Sequence, residues 1–211
     1  MVKLYIIRHA ESQWNPIGRY QGWLDPDLSE RGKEQASLLR EHFKNIDLNA
    51  VYSSPLKRTM GTALSLVKGR GLEVIPENRV IEIDHGHWSG MLVEEVQEKF
   101  PEQFRQWLEE PQKVSFEGGE SLLQVYERVK DFLDYVKEKH WGQRIAVISH
   151  TVPIRAMYCS LLNVDLSRFW SFGCDNASYS LVHMEKERNV ILQLNITCPL
   201  GDYYVEAHRA L

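Results

Sequence analysis

Apolar positions in this chain come as short unbroken runs that alternate with helical repeats. The run from Val2 to Ile7, interrupted only by Lys3, predicts a largely buried strand that ends at Arg8-His9. A polar loop follows through Pro26, with Asn15-Pro16, Gly18, Gly22 and Asp25-Pro26 as turn signals. Ala36, Leu39 and Phe43 fall on one face of a predicted helix over about 29–44, and 48–53 predicts a second strand. Ser54-Pro55 has the form of a helix start, serine as N-cap and proline first, which puts Arg58 in the first turn. Val74-Ile75 and Val80-Ile81 read as short strand pieces around Pro76.

Residues 84–120 are the least regular stretch, rich in glycine and proline, with short helical pieces such as 93–100. They predict an insertion over one end of the sheet, where a substrate-selecting cap would sit. Ser121-x-x-Gln124 is a capping box opening an amphipathic helix. Its core face carries Leu122, Val125, Tyr126, Val129, Phe132, Leu133 and Val136. Residues 145–149 predict another buried strand ending at His150, followed by a helix with Pro153 in its first turn. Residues 178–184 and 190–196 predict a closing pair of strands. This alternation predicts an α/β fold, three layers α/β/α around a mainly parallel sheet, with residues 1–211 as a single domain.

Composition adds exclusions. Hydrophobic residues make up 43% and charged residues 26%, the balance of a globular chain. A net charge of −4 gives no support for nucleic-acid binding as the main role, although a local arginine cluster can still hold a small anion. No signal-peptide pattern or membrane-length apolar stretch occurs, so no membrane partner is expected. Cys159, Cys174 and Cys198 form neither a disulfide framework nor a zinc pattern; they are expected to be buried, unreactive thiols of a cytoplasmic protein.

Four groups are expected at or just beyond strand ends: Arg8-His9, Arg58, Glu82 and His150. Each alone could be an ordinary rim or helix residue. Together they supply a metal-free phosphoryl-transfer site. Two arginines can grip non-bridging oxygens and offset transition-state charge. A neutral histidine can attack phosphorus, the second can donate to an equatorial oxygen, and a carboxyl group of raised pKa can protonate the departing alkoxide.

Arg8-His9-Ala10-Glu11-Ser12 with Trp14-Asn15, Ser53-Ser54-Pro55-Leu56-x-Arg58-Thr59, Glu82 and Ser149-His150 resemble the histidine phosphatase superfamily, which includes the cofactor-dependent phosphoglycerate mutases. The resemblance runs over essentially the whole chain, and Ala10 departs from the glycine common at its position. It implies a phosphoglycerate mutase-like fold with His9 as phosphohistidine nucleophile. Arg8, Arg58 and His150 would form the phosphate pocket, Glu82 would be the acid/base, and Asn15 and the Gln21-Gly22 turn would help bind phosphate. No cofactor is implied.

A mutase needs further cations after the acid/base glutamate. Here Glu94, Glu95, Glu98, Glu102, Glu109 and Glu110 outweigh Lys99, Arg105 and Lys113, which favours a phosphatase. Ile83-Asp84-His85-Gly86, Ser149-His150-Thr151-Val152-Pro153 and residues 169–176 are similar to the metal-independent phosphoserine phosphatases of thermophilic hydrogen-oxidising bacteria. That resemblance implies L-phosphoserine as substrate, a product that is serine, His85 against its carboxylate, and Thr151 at the substrate. His85-x-His87 beside Asp84 could suggest a metal site, but the chemistry has no vacancy for one. The alternatives are a broad-specificity or α-ribazole-type phosphatase, a phosphoglycerate mutase, or a non-catalytic partner subunit. The intact set of Arg8, His9, Arg58, Glu82 and His150 speaks against the last. Six tryptophans and an exposed closing strand would suit a homodimer, and Tyr203-Tyr204 could add to substrate selection.

Overall fold

The computed structural model describes residues 1–206. Strands β1 (Val2–Arg8), β2 (Ala50–Ser53), β3 (Val74–Pro76), β4 (Arg144–Ser149), β5 (Tyr179–Met184) and β6 (Asn189–Ile196) build a sheet in the order β3-β2-β4-β1-β5-β6. The pairs β3–β2, β2–β4 and β4–β1 are parallel, and β5 and β6 close the sheet antiparallel. The helices are α1 (Glu30–Phe43), α2 (Lys57–Val67), α3 (Val93–Lys99), α4 (Pro101–Glu109), α5 (Leu122–Lys139) and α6 (Thr151–Leu162).

β1 and β4 are apolar on both sides because both are covered. Leu4, Ile6, Ile145 and Val147 face α5 and α6 through Val125, Phe132 and Met157. Tyr5, Ile7, Ala146 and Ile148 face α1 and α2 through Ala36, Leu39, Ala63 and Leu66. Helices on both faces of a largely parallel sheet are the expected three layers. The register pairs Arg8 with Ser149, and the His9 amide donates to the Ser149 carbonyl at 3.0 Å. Two chain segments far apart in sequence therefore end side by side, at the carboxyl edge where open α/β sheets bind ligands.

Several local expectations change. Ser54 does not cap a helix: α2 starts at Lys57 after Leu56, because the Ser54 amide still bonds the Ile148 carbonyl of β4 (3.0 Å) and so extends the sheet. Val80-Ile81 is not a strand. The Glu77 carboxylate accepts from the Arg79 amide and winds Asn78–Val80 into a 3-10 turn, so Glu82 follows a turn instead of a strand end. Tyr126 is only half-buried on α5, and Cys198 is exposed while Cys159 and Cys174 are buried. The 84–120 stretch is more ordered than its composition suggests, since Trp88, Phe104, Trp107 and Phe116 pack into the α5 side of the core.

Candidate active site

The β1 and β4 termini, the α2 start and the 82–86 segment converge on one cavity. Arg8, His9, Asn15, Gln21, Gly22, Arg58, Glu82, His85 and Thr151 all line it. His150 stands directly behind, fully buried, its ring 5.1 Å from that of His9.

The His9 ring is fixed by the backbone. Its Nδ1 lies 2.7 Å from the Ala10 carbonyl, which can only accept, so Nδ1 carries the proton and Nε2 keeps its lone pair. Burial, then Arg58, then Arg8, holds its pKa well below the ordinary histidine value, so the ring is neutral. The Glu11 amide, in the same peptide as that carbonyl, donates to Gln35 Oε1 at 2.9 Å, which fixes the peptide.

The arginine forks are aimed by backbone. Arg58 donates from Nη1 to the Leu24 carbonyl (2.9 Å), from Nη2 to the Gly22 carbonyl (2.9 Å) and from Nε to His150 Nδ1 (3.2 Å). One N–H remains on each terminal nitrogen, the pair a bidentate anion contact uses. Burial is the main cause lowering its pKa to about 10. Arg8 Nη1 donates to the Cys174 carbonyl at 2.6 Å. Gly22 has φ +52°, and a Cβ there would meet Ser89 Oγ at 2.7 Å, so the turn that presents its carbonyl to Arg58 requires glycine. Asn15 Oδ1 accepts from the Ser12 amide (2.8 Å) and Gln21 Oε1 from the Ser12 hydroxyl (2.9 Å), so both side-chain oxygens are turned to Ser12 and the amide nitrogens are the groups left to donate to a ligand.

His150 is held from both sides of its ring. Arg58 Nε is a donor only, so His150 Nδ1 accepts, and its protonated Nε2 donates to Ser54 Oγ at 2.8 Å. Both nitrogens are engaged by protein, and His150 orients Arg58. Ser54 gains its role from this contact. His150 too is kept neutral, by burial first and then Arg58, His9 and Arg8.

Glu82 is 7% exposed, and burial raises its pKa against the opposing pull of the Ile83 amide and of Arg58, Arg8 and Arg128. His85 is 5% exposed, packed against Tyr20 and Phe116 (ring centroids 5.0 and 5.1 Å). Burial, then Arg58, lowers its pKa to about 3. Its Nδ1 is sealed off without a partner, which leaves Nε2 to meet a ligand. His87 is largely exposed and faces Glu117 (3.8 Å), so the two histidines serve different surroundings.

Arg19, Tyr20, Trp107, Val152 and Trp170 complete the wall. Trp107 carries no sequence signal for a site, since its α4 position looks like core, and Trp170 joins it by donating from Nε1 to the Trp107 carbonyl at 2.7 Å. Tyr203 and Tyr204 do not line this cavity; Tyr204 lines a neighbouring cleft with Asp175 and Arg155.

Residues 4–197 match the model of the histidine phosphatase superfamily (branch 1). Phosphoserine phosphatase 1 of Hydrogenobacter thermophilus is 68% identical over 211 residues, all of both chains. A metal-independent phosphoserine phosphatase of Arabidopsis thaliana is 33% identical over 90% of this chain and 80% of its own. Among solved structures, Bacillus stearothermophilus YhfR superposes with a TM-score of 0.90 at 24% identity, over 95% of this chain and 100% of its own, which speaks to the fold.

Proposed function

Starting from a chain that belongs to the histidine phosphatase superfamily, we propose that it hydrolyses L-phosphoserine to L-serine and phosphate through a phosphohistidine, without a metal. The observation that carries the chemistry is the His9 ring, neutral, with its proton fixed on Nδ1 by the Ala10 carbonyl and Nε2 towards a cavity flanked by Arg8 and Arg58. The substrate rests on the 68% identical relative and on His85, a neutral donor in the same cavity.

In the first step the Nε2 lone pair forms a bond to phosphorus while the bond to the serine oxygen breaks. Glu82, protonated by virtue of its raised pKa, gives its proton to that oxygen. In the second, the ionised Glu82 takes a proton from water, the oxygen attacks phosphorus, and the P–N bond breaks to return neutral His9 and inorganic phosphate. Arg8 and Arg58 follow the charge on the non-bridging oxygens throughout. The wall contributed by 84–120 consists of His85 and Trp107, with no cation, which favours hydrolysis over the bisphosphate chemistry of a mutase.

The same reading makes a small phosphorylated metabolite the partner and serine formation the role. Three free cysteines support a reducing, cytoplasmic setting, and among the described residues no helix is long and apolar enough to cross a membrane. β6, an edge strand with Leu192 exposed, supports pairing with a second copy. The test is turnover of phosphoserine in excess chelator, ranked by kcat/KM against a panel of phosphomonoesters. Acid-labile label from radioactive substrate is expected on wild type and absent in His9→Ala. Label on serine or aspartate would sink the mechanism, and a better substrate in the panel would displace phosphoserine.

A further inference from the structure

Glu82 and His85 lie three residues apart on one short segment, and both face the cavity. That segment has no regular secondary structure around Glu82 to hold it. What holds it is a fork from α5. Arg128 donates from Nε to Glu120 Oε1 (3.0 Å) and from Nη2 to Glu120 Oε2 (3.1 Å), an ion pair whose side chains are 16% and 18% exposed. The same guanidinium donates from Nη1 to the Arg79 carbonyl (2.8 Å) and from Nη2 to the Glu82 carbonyl (3.1 Å). Glu120 reaches the other end: its Oε2 accepts from the Asp84 amide (3.0 Å) and its own amide donates to the Asp84 carbonyl (2.9 Å). The backbones touch as well. A Cβ on Gly86 would sit 2.1 Å from the Glu117 carbonyl oxygen, and one on Gly119 2.3 Å from that of Asp84.

We propose that Arg128 and Glu120 are positioning residues: one clamp sets both the leaving-group acid and the histidine that meets the substrate carboxylate. The phosphoserine side of this rests on the function proposed above. Arg128 does not line the cavity, so it acts through the 79–84 backbone and through its charge. A guanidinium is required because four acceptor oxygens lie around one planar fork, which an ammonium on a flexible stem cannot reproduce. The charge pulls the Glu82 pKa down against burial, so its removal raises that pKa.

Geometry and charge separate in two variants, R128K and R128M, assayed on phosphoserine, phenyl phosphate and p-nitrophenyl phosphate across pH. In R128M, kcat/KM for phosphoserine and phenyl phosphate should fall by about tenfold to a hundredfold, the cost of a displaced catalytic group. p-Nitrophenyl phosphate needs little protonation and should lose less. The descending limb of the pH profile, where Glu82 loses its proton, should move to higher pH in R128M. In R128K it should stay, while the rate loss on phenyl phosphate remains. Inhibition by orthophosphate should be unchanged in both, since the arginine pocket is untouched. Wild-type kinetics in R128K, or equal losses on all three substrates with an unmoved limb in R128M, would overturn the proposal. If R128M does not fold, R128K alone decides the geometric part. If wild type fails to turn over phosphoserine, the substrate reading falls, and the two aryl phosphates still test the clamp.

Discussion

Replacing His85 tests the substrate assignment most sharply. Its pKa of about 3 means that the ring is neutral across the working range, so it can offer a substrate carboxylate one N–H and no charge. A hydrogen bond to a charged group is worth about 1.5–3 kcal/mol, which is about 10–150-fold in kcat/KM. The ring is also a wall, packed on Tyr20 and Phe116, so alanine would remove packing along with the donor. His85→Phe keeps the bulk and loses the N–H, and His85→Asn keeps a donor in less space. Phosphoethanolamine lacks the carboxylate and should be turned over almost equally by wild type and His85→Phe, while phosphoserine loses the full factor. His85→Asn should retain part of the phosphoserine preference. The ratio of kcat/KM for the two substrates should be flat between about pH 5 and pH 8, because the ring does not titrate there. Equal losses on both substrates would refute the contact, and a step in that ratio near pH 6.5 would refute the neutral ring.

Glu82→Gln should lower kcat/KM for phosphoserine, which reads the transfer to His9, by about 10²–10⁴-fold, the usual worth of general acid catalysis, and kcat/KM for p-nitrophenyl phosphate much less; equal losses in kcat/KM would mean that Glu82 is not the acid. Stability should fall on acidification below about pH 6.5, where unfolded histidines protonate. His9, His85 and His150 have lowered folded pKa values, so in that range the unfolded chain binds more protons. Each such proton contributes about 1.4 kcal/mol per pH unit. The raised pKa of Glu82 works the other way, adding stability at low pH that is lost as pH rises through its folded value, but it is one group against three. A Tm that rises from pH 6.5 to pH 5 would contradict the buried neutral histidines.

The parts of this site legible in the sequence are those delivered by long apolar runs. β1 and β4 announce themselves as continuous hydrophobic segments, and His9 and His150 follow directly at their ends. The helices α1 and α5 follow from period and caps, with Ser29 and Ser121 accepting from the Gly32 and Gln124 amides as N-caps do. What was hidden is decided by contacts between distant segments. Val80-Ile81 has the composition of a strand, yet the Glu77 side chain on one side and the Arg128 fork on the other leave its backbone no neighbouring strand to pair with. Ser54 has the composition of a cap, yet its hydroxyl is taken by His150, 96 residues away. His150 follows a strand end as a phosphate ligand would, and only the folded contacts show that Arg58 and Ser54 already partner its two ring nitrogens. Trp107 carries no signal because an apolar helix face packs a core or lines a cavity with the same spacing.

Burial and the arginines do different work on His9 and Glu82, the two groups proposed to react. Burial is the largest cause of both shifts, lowering the pKa of His9 and raising that of Glu82, so it alone prepares a neutral nucleophile and a protonated acid. Arg58 and Arg8 then push His9 further towards neutral but pull Glu82 back towards its ionised form. A bound phosphate dianion offsets the arginine charge, and its own charge favours protons on both groups. Glu82 is thereby more firmly protonated when a leaving group needs its proton. His9 loses the help of the arginines at the same moment and depends on burial and the fixed Nδ1 proton to keep Nε2 bare. In the proposed mechanism the alcohol departs with that proton and leaves Glu82 ionised beside the phosphorylated ring, as the base that the second step needs. The order of proton transfers follows from which charges occupy the cavity, with no metal required to set it.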